Sequence, residues 1–541
     1  MILDGMVLSA SGWRGVFAED GNEESATASI SREKQDFAAL AAEVFAEYLK
    51  TRHLDGTIII GRDSRPTGPA IEQAMLALFV AQAWKVRQVG VSAAPEIMAY
   101  ARESGIPFVY ISASHNPIGH NGLKFGLGDG AVLEGGEAAK LIAALKEKCA
   151  SGKTDKPLDN YKDDAVKAYY AFAKKAFLVD KMPLAKMGIA ADLNGSARTV
   201  SIDKAFFEGL GLQYHAINTD CGKIAHRIVP EGSGLEPCRL LLKELHQKDP
   251  SFILGYTPDC DGDRGNLVIW DDDIGDARPL AGQEVFALAV YAELRCLKWQ
   301  DALQYDASGH LQTKAAVVVN DPTSIMVDRI ADSFGLPVFR AEVGEANVVN
   351  RAKELRNEGY LVRILGEGPA GGVIIHPSTV RDPLSTVLAL VKLLSIEPKP
   401  LSQIIAALPR FYSTPSYSDA AILRVKTEEH SLLKKRYQSI LIDEFSRKSA
   451  ELKDKWGISA WEAQGFVGTK ELFPLNDFAE VGRGGLRIVL KNADGRDIAA
   501  IWMRGSGTEP VFRIMADAES EELEQELLAW QTSMVKQADM G

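Results

Sequence analysis

The chain has 541 residues, 46% hydrophobic and 25% charged, the balance of an ordinary globular protein with room for three to four domains of about 100–200 residues each. That composition excludes collagen-like, coiled-coil and low-complexity readings. A net charge of −12 leaves no basic footprint for long nucleic acid or an anionic membrane, so any anionic ligand has to be met by locally placed cations.

From the start of the chain, Met1–Phe17 has no basic segment followed by a sustained apolar run, and no secretory signal is expected. Apolar stretches such as Ala74–Trp84 and Leu384–Ile396 are short or broken, below the roughly 18–20 residues of a membrane span. Five widely spaced cysteines without a CxxC suit reduced thiols, so a cytoplasmic location is expected. Asn194-Gly195-Ser196 reads as an unmodified turn.

Three segments repeat one pattern. Thr57–Ile60 runs into GRDSRPTG, Gly188–Ala191 into DLNGSAR, and Ala315–Val319 into NDPTS. Each segment then carries a second strand candidate ending in an unusual loop: FVYI before SASHNP, FILGY before TPDCDGDR, and YLVRIL before GEGPAGG. Helical periodicity at Pro69–Trp84 and Ser324–Phe334 lies between the strands, which predicts crossovers in mixed, largely parallel sheets. Ligands collect beyond the carboxyl ends of such strands, so the three loops are expected to line one cleft. Pro409–Ser418 reads as a linker. A helix over Ser431–Trp456, strands at Gly485–Leu490, Asp497–Met503 and Val511–Ala516, and a helix from Ser520 to Gln537 then form a separate α+β domain. The expected division is 1–180, 181–300, 301–410 and 411–541.

Each segment carries chemistry. Ser112–Pro117 puts hydroxyls at a sharp turn beside His115, with Lys124 following, an arrangement suited to a nucleophile or phosphoryl carrier. Asp259, Asp261 and Asp263 would repel one another without a cation, and oxygen-only ligands favour Mg²⁺ before Ca²⁺ or Mn²⁺. An EF-hand is excluded by Arg264 at its sixth position and Trp270 at its twelfth. Arg504 to Pro510 (RGSGTEP), with Arg513 beyond it, combines glycines, hydroxyls and guanidiniums into a phosphate cradle. Gly366 and Glu367 place one carboxylate in a glycine-rich loop, suited to sugar hydroxyls. Arg14 is a candidate for facing phosphate, whereas Arg62 with Asp63 equally suits a structural ion pair. No Walker A or dinucleotide motif is present: Glu147 stands where the Gly152-Lys153-Thr154 run would need its first glycine.

The ordered set SASHNP…NGLK, DCDGDR, the Gly-Glu loop and RGSGTEP resembles the α-D-phosphohexomutases, the phosphoglucomutase/phosphomannomutase group, over nearly the whole chain. The resemblance implies an α/β, four-domain, heart-shaped enzyme, with three similar mixed-sheet domains and a C-terminal TATA-box-binding-protein-like α+β domain. It also implies that Ser114 is a phosphoserine and that Asp259, Asp261 and Asp263, with an oxygen on Ser114, hold one Mg²⁺. Arg264 would lie near the transferring phosphoryl group; Lys124 would be the acid/base residue, with His115 and Arg14 beside it. Arg504, Ser506, Gly507, Thr508 and Arg513 would grip the other phosphate. The third loop departs from the family: Gly-Pro-Ala-Gly-Gly follows Glu367, so the usual serine and histidine are missing, and His376 is the only imidazole nearby in sequence. That leaves sugar preference and the second acid/base residue open.

The expected function is exchange of hexose 1-phosphate and 6-phosphate, glucose or mannose, through hexose 1,6-bisphosphate. Alternatives are a phosphoglucosamine or phosphopentose mutase, a seryl-phosphate phosphohydrolase, or a non-catalytic sugar-phosphate binding protein. The partner expected is a small sugar phosphate, not nucleic acid or membrane, with the chain a monomer or dimer.

Overall fold

Phe108–Ile111 (FVYI) and Gly188–Asp192 (GIAAD) are buried at every position, as expected of strands covered on both faces, where alternation gives way to continuous apolar sequence. In the computed structural model, which describes residues 3, 5–9, 12–54, 56–147, 160–178, 182, 184–505 and 511–541, they lie within two mixed sheets. Contacts divide the chain into two units, Met1–Leu280 with Gly372–Ser402, and Ala281–Gly371 with Gln403–Gly541.

The first unit holds both of these sheets. One runs in the order Val7–Ser9, Gly12–Val16, His120–Gly126, Phe108–Ile111, Thr57–Arg62, Lys85–Val91. Thr57–Arg62 is parallel to both its neighbours, and Phe108–Ile111 turns back antiparallel onto His120–Gly126. The other runs Asp276–Pro279, Gly265–Asp271, Phe252–Pro258, Gly188–Asp192, Gln213–Ile217. Here too the strand parallel to the central one, Phe252–Pro258, turns back antiparallel, onto Gly265–Asp271. The serine loop and the carboxylate loop therefore occupy equivalent places: each joins the last parallel strand to the first antiparallel one.

Helix Arg32–Thr51 packs Phe37, Phe45 and Leu49 against Trp13, Phe125 and Ile60 in the first core. Its start is fixed by Ser31, whose side chain accepts from Lys34 N. Helix Pro383–Ile396 is buried from Pro383 through Leu394, so the apolar run at Leu384 is an all-round core helix. No described helix is long and apolar enough to cross a membrane.

In the second unit, Val317–Asn320 lies between Val338–Ala341 and Ile364–Glu367, all parallel. Helix Gly282–Trp299 belongs to this unit. The C-terminal sheet is antiparallel, in the order Tyr412–Ser413, Val511–Ala518, Asp497–Gly505, Gly485–Lys491, Ala460–Val467, Lys470–Leu472, and it shares one core with helices His430–Trp456 and Glu521–Met540. Tyr412 and Ser413, expected in a linker, pair with Ala518 and Asp517. Among the described cysteines, Cys221 is exposed and Cys238, Cys260 and Cys296 are buried, all as free thiols.

Candidate active site

Ser114 lies at the head of the serine loop with φ of 57°, a left-handed conformation rare for a residue with a Cβ and a mark of backbone held by its surroundings. What holds it is Arg65. This fully buried guanidinium donates from Nε to Asp63 at 3.1 Å, from Nη2 to the carbonyls of Ser114 at 2.7 Å and Asn116 at 2.6 Å, and from Nη1 to those of His120 at 3.0 Å and Pro117. Ser114 N donates to Ser112 Oγ at 2.8 Å. The sequence reading paired Arg62 with Asp63; instead Arg62 pairs with Glu72 at 2.9 Å, and the partner of Asp63 is Arg65.

Ser114 Oγ donates to Asp259 Oδ2 at 2.9 Å, bringing the serine onto the carboxylate loop. Asp259, Asp261 and Asp263 are buried, with one oxygen from each lying within 4.8 Å of the others. Lys124 Nζ bridges Asp261 at 2.6 Å and Asp263 at 3.2 Å, Arg381 Nη2 reaches Asp263 at 2.9 Å, and Ser112 Oγ reaches Asp261 at 3.0 Å. Burial, with Asp261 and Asp263 close by, pushes the Asp259 carboxyl well above its usual value. For Asp263 burial acts the same way, but Arg381, Lys124 and Arg264 outweigh it and hold the group low. Asp261 Oδ1 and Asp263 Oδ1 are buried with no hydrogen-bond partner among the described residues. Two carboxylate oxygens without a donor in a buried triplet suit a hard divalent cation, so these residues fit Mg²⁺.

The surrounding charge is positive. Arg264, then burial, then Arg14 and Arg381 drive His115 well below the usual histidine value, so His115 is a neutral imidazole at pH 7. Its Nδ1 is buried and has no hydrogen-bond partner among the described residues. A cavity of about 630 Å³ opens beside it, lined by Pro117, Ile118, Glu24 and the loop Gly222–Val229. That loop is pinned by Asn194 and by His226, whose Nε2 lies 2.7 Å from Asp192 and whose Nδ1 lies 3.1 Å from the Arg227 carbonyl.

Beneath the carboxylate loop runs a buried network. Arg198 binds Asp203, Asp382 and Tyr169, and Tyr169 donates to Asp382 at 2.6 Å. Gly262, at φ of 67°, lies on the Arg198 side chain; a Cβ there would come 2.4 Å from Arg198 Cδ. Only glycine meets both demands, which explains DGD rather than a bulkier spacer.

The other two loops belong to the second unit. Glu367 is buried, its Oε1 accepting from Gly344 N at 3.1 Å and Asn320 Nδ2 at 3.4 Å. Residues Gly368–Ala370 form a 3₁₀ turn closed by Gly371. Arg504 donates from Nε to Glu342 Oε1 at 2.9 Å, with Nη2 at the same distance. Nearby, burial drives Lys434 down to about 7 and Asp321 up to about 7. Arg513 is exposed, with Nη1 3.5 Å from the Ser416 carbonyl. Ser506, Gly507 and Thr508 lie outside the described residues.

Comparison with known proteins fits this geometry. Residues 7–150 match the family model for phosphoglucomutase/phosphomannomutase alpha/beta/alpha domain I, and residues 300–412 match that for domain III. A phosphoglucomutase/phosphomannomutase of Thermococcus kodakarensis is 26% identical over 94% of this chain and 96% of its own. The chain belongs to the α-D-phosphohexomutase family. A phosphoglucosamine mutase of Geotalea daltonii is 29% identical over 68% of this chain and 76% of its own. The fold is likewise that of solved phosphohexomutases. A phosphoglucomutase/phosphomannomutase family protein from Burkholderia thailandensis superposes at a TM-score of 0.66, with 18% identity, over 99% of this chain and 98% of that one. Parafusin, a phosphoglucomutase from Paramecium, does so at 0.64, with 15% identity, over 98% of each.

This phosphohexomutase is thus an enzyme of the phosphoglucomutase/phosphomannomutase type, an isomerase. The first unit brings together Ser114, Lys124, Asp259, Asp261 and Asp263 by direct bonds, and Arg14, His115 and Arg264 through the shared field around His115. Sequence reasoning assigned no role to Arg65 and missed Ser112, Arg198 and Arg381. Arg65 was visible only as one cation among several. Arg381 carried no signal at all, since it meets Asp263 across 118 positions of chain.

Proposed function

We propose that this enzyme interconverts hexose 1-phosphate and hexose 6-phosphate, with glucose or mannose as the sugar, through a phosphoryl group carried on Ser114 and a hexose 1,6-bisphosphate intermediate. The observation that carries this reading is Ser114 Oγ, held by a strained backbone 2.9 Å from a buried carboxylate triplet. Asp259, Asp261 and Asp263 would hold Mg²⁺, which would supply neutralising charge for phosphoryl oxygens.

In the first half-reaction a sugar hydroxyl oxygen attacks phosphorus, the bond from phosphorus to Ser114 Oγ breaks, and the hydroxyl proton passes to a base; in the second Ser114 Oγ attacks the other phosphate of the bisphosphate, the bond from phosphorus to the sugar oxygen breaks, and that oxygen takes up a proton from an acid. His115, neutral and with an Nδ1 that has no hydrogen-bond partner among the described residues, suits acceptance of the hydroxyl proton; Lys124, an ammonium between two carboxylates, suits donation. Arg14 and Arg264 neutralise charge that develops on the moving group. The bisphosphate then turns around and returns its other phosphate to Ser114. Gly366 and Glu367 are assigned to sugar hydroxyls, and Arg504, Ser506, Gly507, Thr508 and Arg513 to the phosphate not in transfer. Free thiols at the described cysteines suit a cytoplasmic setting.

A phosphoglucosamine reading has one specific support: relatives such as that of Geotalea daltonii carry that name. The test is peptide mapping for phosphate on Ser114, with kcat/KM measured for glucose, mannose, glucosamine and ribose phosphates. Phosphate on Ser114 and preferential turnover of glucose or mannose phosphate are expected. Full activity in Ser114→Ala, or steady release of inorganic phosphate, would overturn the mechanism; a preference of tenfold or more (about 1.4 kcal/mol) for glucosamine phosphate would move the substrate to the amino sugar.

A further inference from the structure

In Asp261 and Asp263 one carboxylate oxygen is crowded with donors and the other has none. Asp261 Oδ2 accepts from Ser112 Oγ at 3.0 Å and Lys124 Nζ at 2.6 Å; Asp263 Oδ2 accepts from Lys124 Nζ at 3.2 Å and Arg381 Nη2 at 2.9 Å. Oδ1 of each residue is buried without a hydrogen-bond partner among the described residues. The donors therefore sort the oxygens, fixing which one is left to face a cation.

Arg381 is delivered to this task on a rigid mount. The next residue, Asp382, caps helix Pro383–Ile396 by accepting from Leu384 N at 2.9 Å, and it is locked from the other side by Tyr169 at 2.6 Å and Arg198 at 3.3 Å. A guanidinium rooted there cannot drift from Asp263 without disturbing a buried network.

We infer that Arg381 is a positioning residue that sets the selectivity of the metal site. By occupying Asp263 Oδ2 it limits Asp263 to one oxygen toward the ion, as Lys124 and Ser112 limit Asp261. Mg²⁺ demands an octahedron of short bonds, about 2.0–2.1 Å, whereas Ca²⁺ takes six to eight ligands at about 2.3–2.6 Å and accepts two oxygens from one carboxylate. Carboxylates held to one oxygen each make a small-ion site. Charge alone cannot do this. Both ions carry the same charge, so losing a nearby cation strengthens both alike, while freeing a second oxygen helps Ca²⁺ selectively.

The inference rests on the reading that the triplet holds a divalent cation, and one calorimetric experiment separates the two. The full chain, its fold checked by circular dichroism, is titrated with Mg²⁺ and separately with Ca²⁺ as wild type, Arg381→Met and Arg381→Lys. Arg381→Met is expected to shift the ratio of the two dissociation constants about tenfold toward Ca²⁺, the scale on which outer-shell partners act. Arg381→Lys, which keeps a donor for the same oxygen, should retain most of the wild-type ratio. An unchanged ratio in Arg381→Met, with both affinities moving together, would leave Arg381 only a charge role and overturn the inference. Failure of wild type to bind either ion would instead bring down the metal reading, and the inference with it. If Arg381→Met does not fold, Ser112→Ala, which removes a donor from Asp261 Oδ2, must move the ratio in the same direction; no movement overturns the assignment.

Discussion

Arg65 and Arg504 both lie in stretches of sequence rich in arginine, glycine and serine or threonine, GRDSRPTG and RGSGTEP, yet the molecule treats them oppositely. Arg65 has no exposed surface, and its donors go to Asp63 and four backbone carbonyls. Arg504 keeps about a third of its side chain exposed, at 31%, and among the described residues it leans on a single oxygen of Glu342. Carbonyls fixed in a folded loop do not leave, so the first arginine is scaffold. A glutamate side chain can swing aside, so the second is a cation available to an anion at the cost of an exchange.

The sharpest way to break this contrast is to remove each arginine in turn. Arg65→Met strands the buried carboxylate of Asp63 and four carbonyls, and should cost about 3–5 kcal/mol of stability in urea unfolding, in the range for breaking a buried ion pair. Activity should fall with it, because Ser114 loses its mount. Arg504→Gln should instead leave the unfolding midpoint nearly unchanged and raise KM for the sugar phosphate about 10–100-fold, the equivalent of one charge-assisted hydrogen bond at about 1.5–3 kcal/mol. If Arg504→Gln unfolds the chain as readily as Arg65→Met, the distinction fails. Glu342→Gln should act the other way, lowering KM severalfold (about 1 kcal/mol) by removing the competitor of the phosphate.

His226 is the intermediate case, with one carbonyl and one carboxylate as partners. Both are acceptors, so the imidazolium, which donates from both ring nitrogens, is the form these partners favour. Burial alone would lower its pKa, but the hydrogen bond to Asp192 and the charge of that residue hold it above the usual histidine value. A raised folded-state value means the stabilisation is complete below the unfolded pKa of about 6.5 and is lost as pH rises through the folded one. Comparing wild type with His226→Gln in urea should show a gap of about 1 kcal/mol or less at pH 6, closing by pH 9. A gap that does not change with pH would mean the ring is held by packing alone.

The strands were legible because buried parallel strands write themselves as apolar runs: FVYI and FILGY were placed correctly, and the loops after them carried their chemistry in plain sequence. The carboxylate triplet was legible for the same reason, since its members alternate within five residues. What the sequence could not disclose is pairing at a distance. GRDSR holds two arginines and one aspartate, and nothing local says that Arg62 turns to Glu72 while Arg65 turns to Asp63. Ser112 looked like an ordinary member of a turn until the fold set it against Asp261. Tyr412 and Ser413 fell among prolines and serines, and their pairing depends on an edge supplied by Val511–Ala518.

The cysteines give the site an experimental handle. Cys260 stands between two of the three aspartates, yet burial, with Asp63 close by, pushes its thiol well above the usual value, so it stays protonated and unreactive toward alkylating probes. Cys238 and Cys296 are buried as well, whereas Cys221 is exposed at the head of the loop that lines the cavity beside His115. Among the described thiols, a maleimide dye would therefore settle on Cys221, giving an optical reporter one residue from the wall of the cavity while leaving the catalytic groups unlabelled.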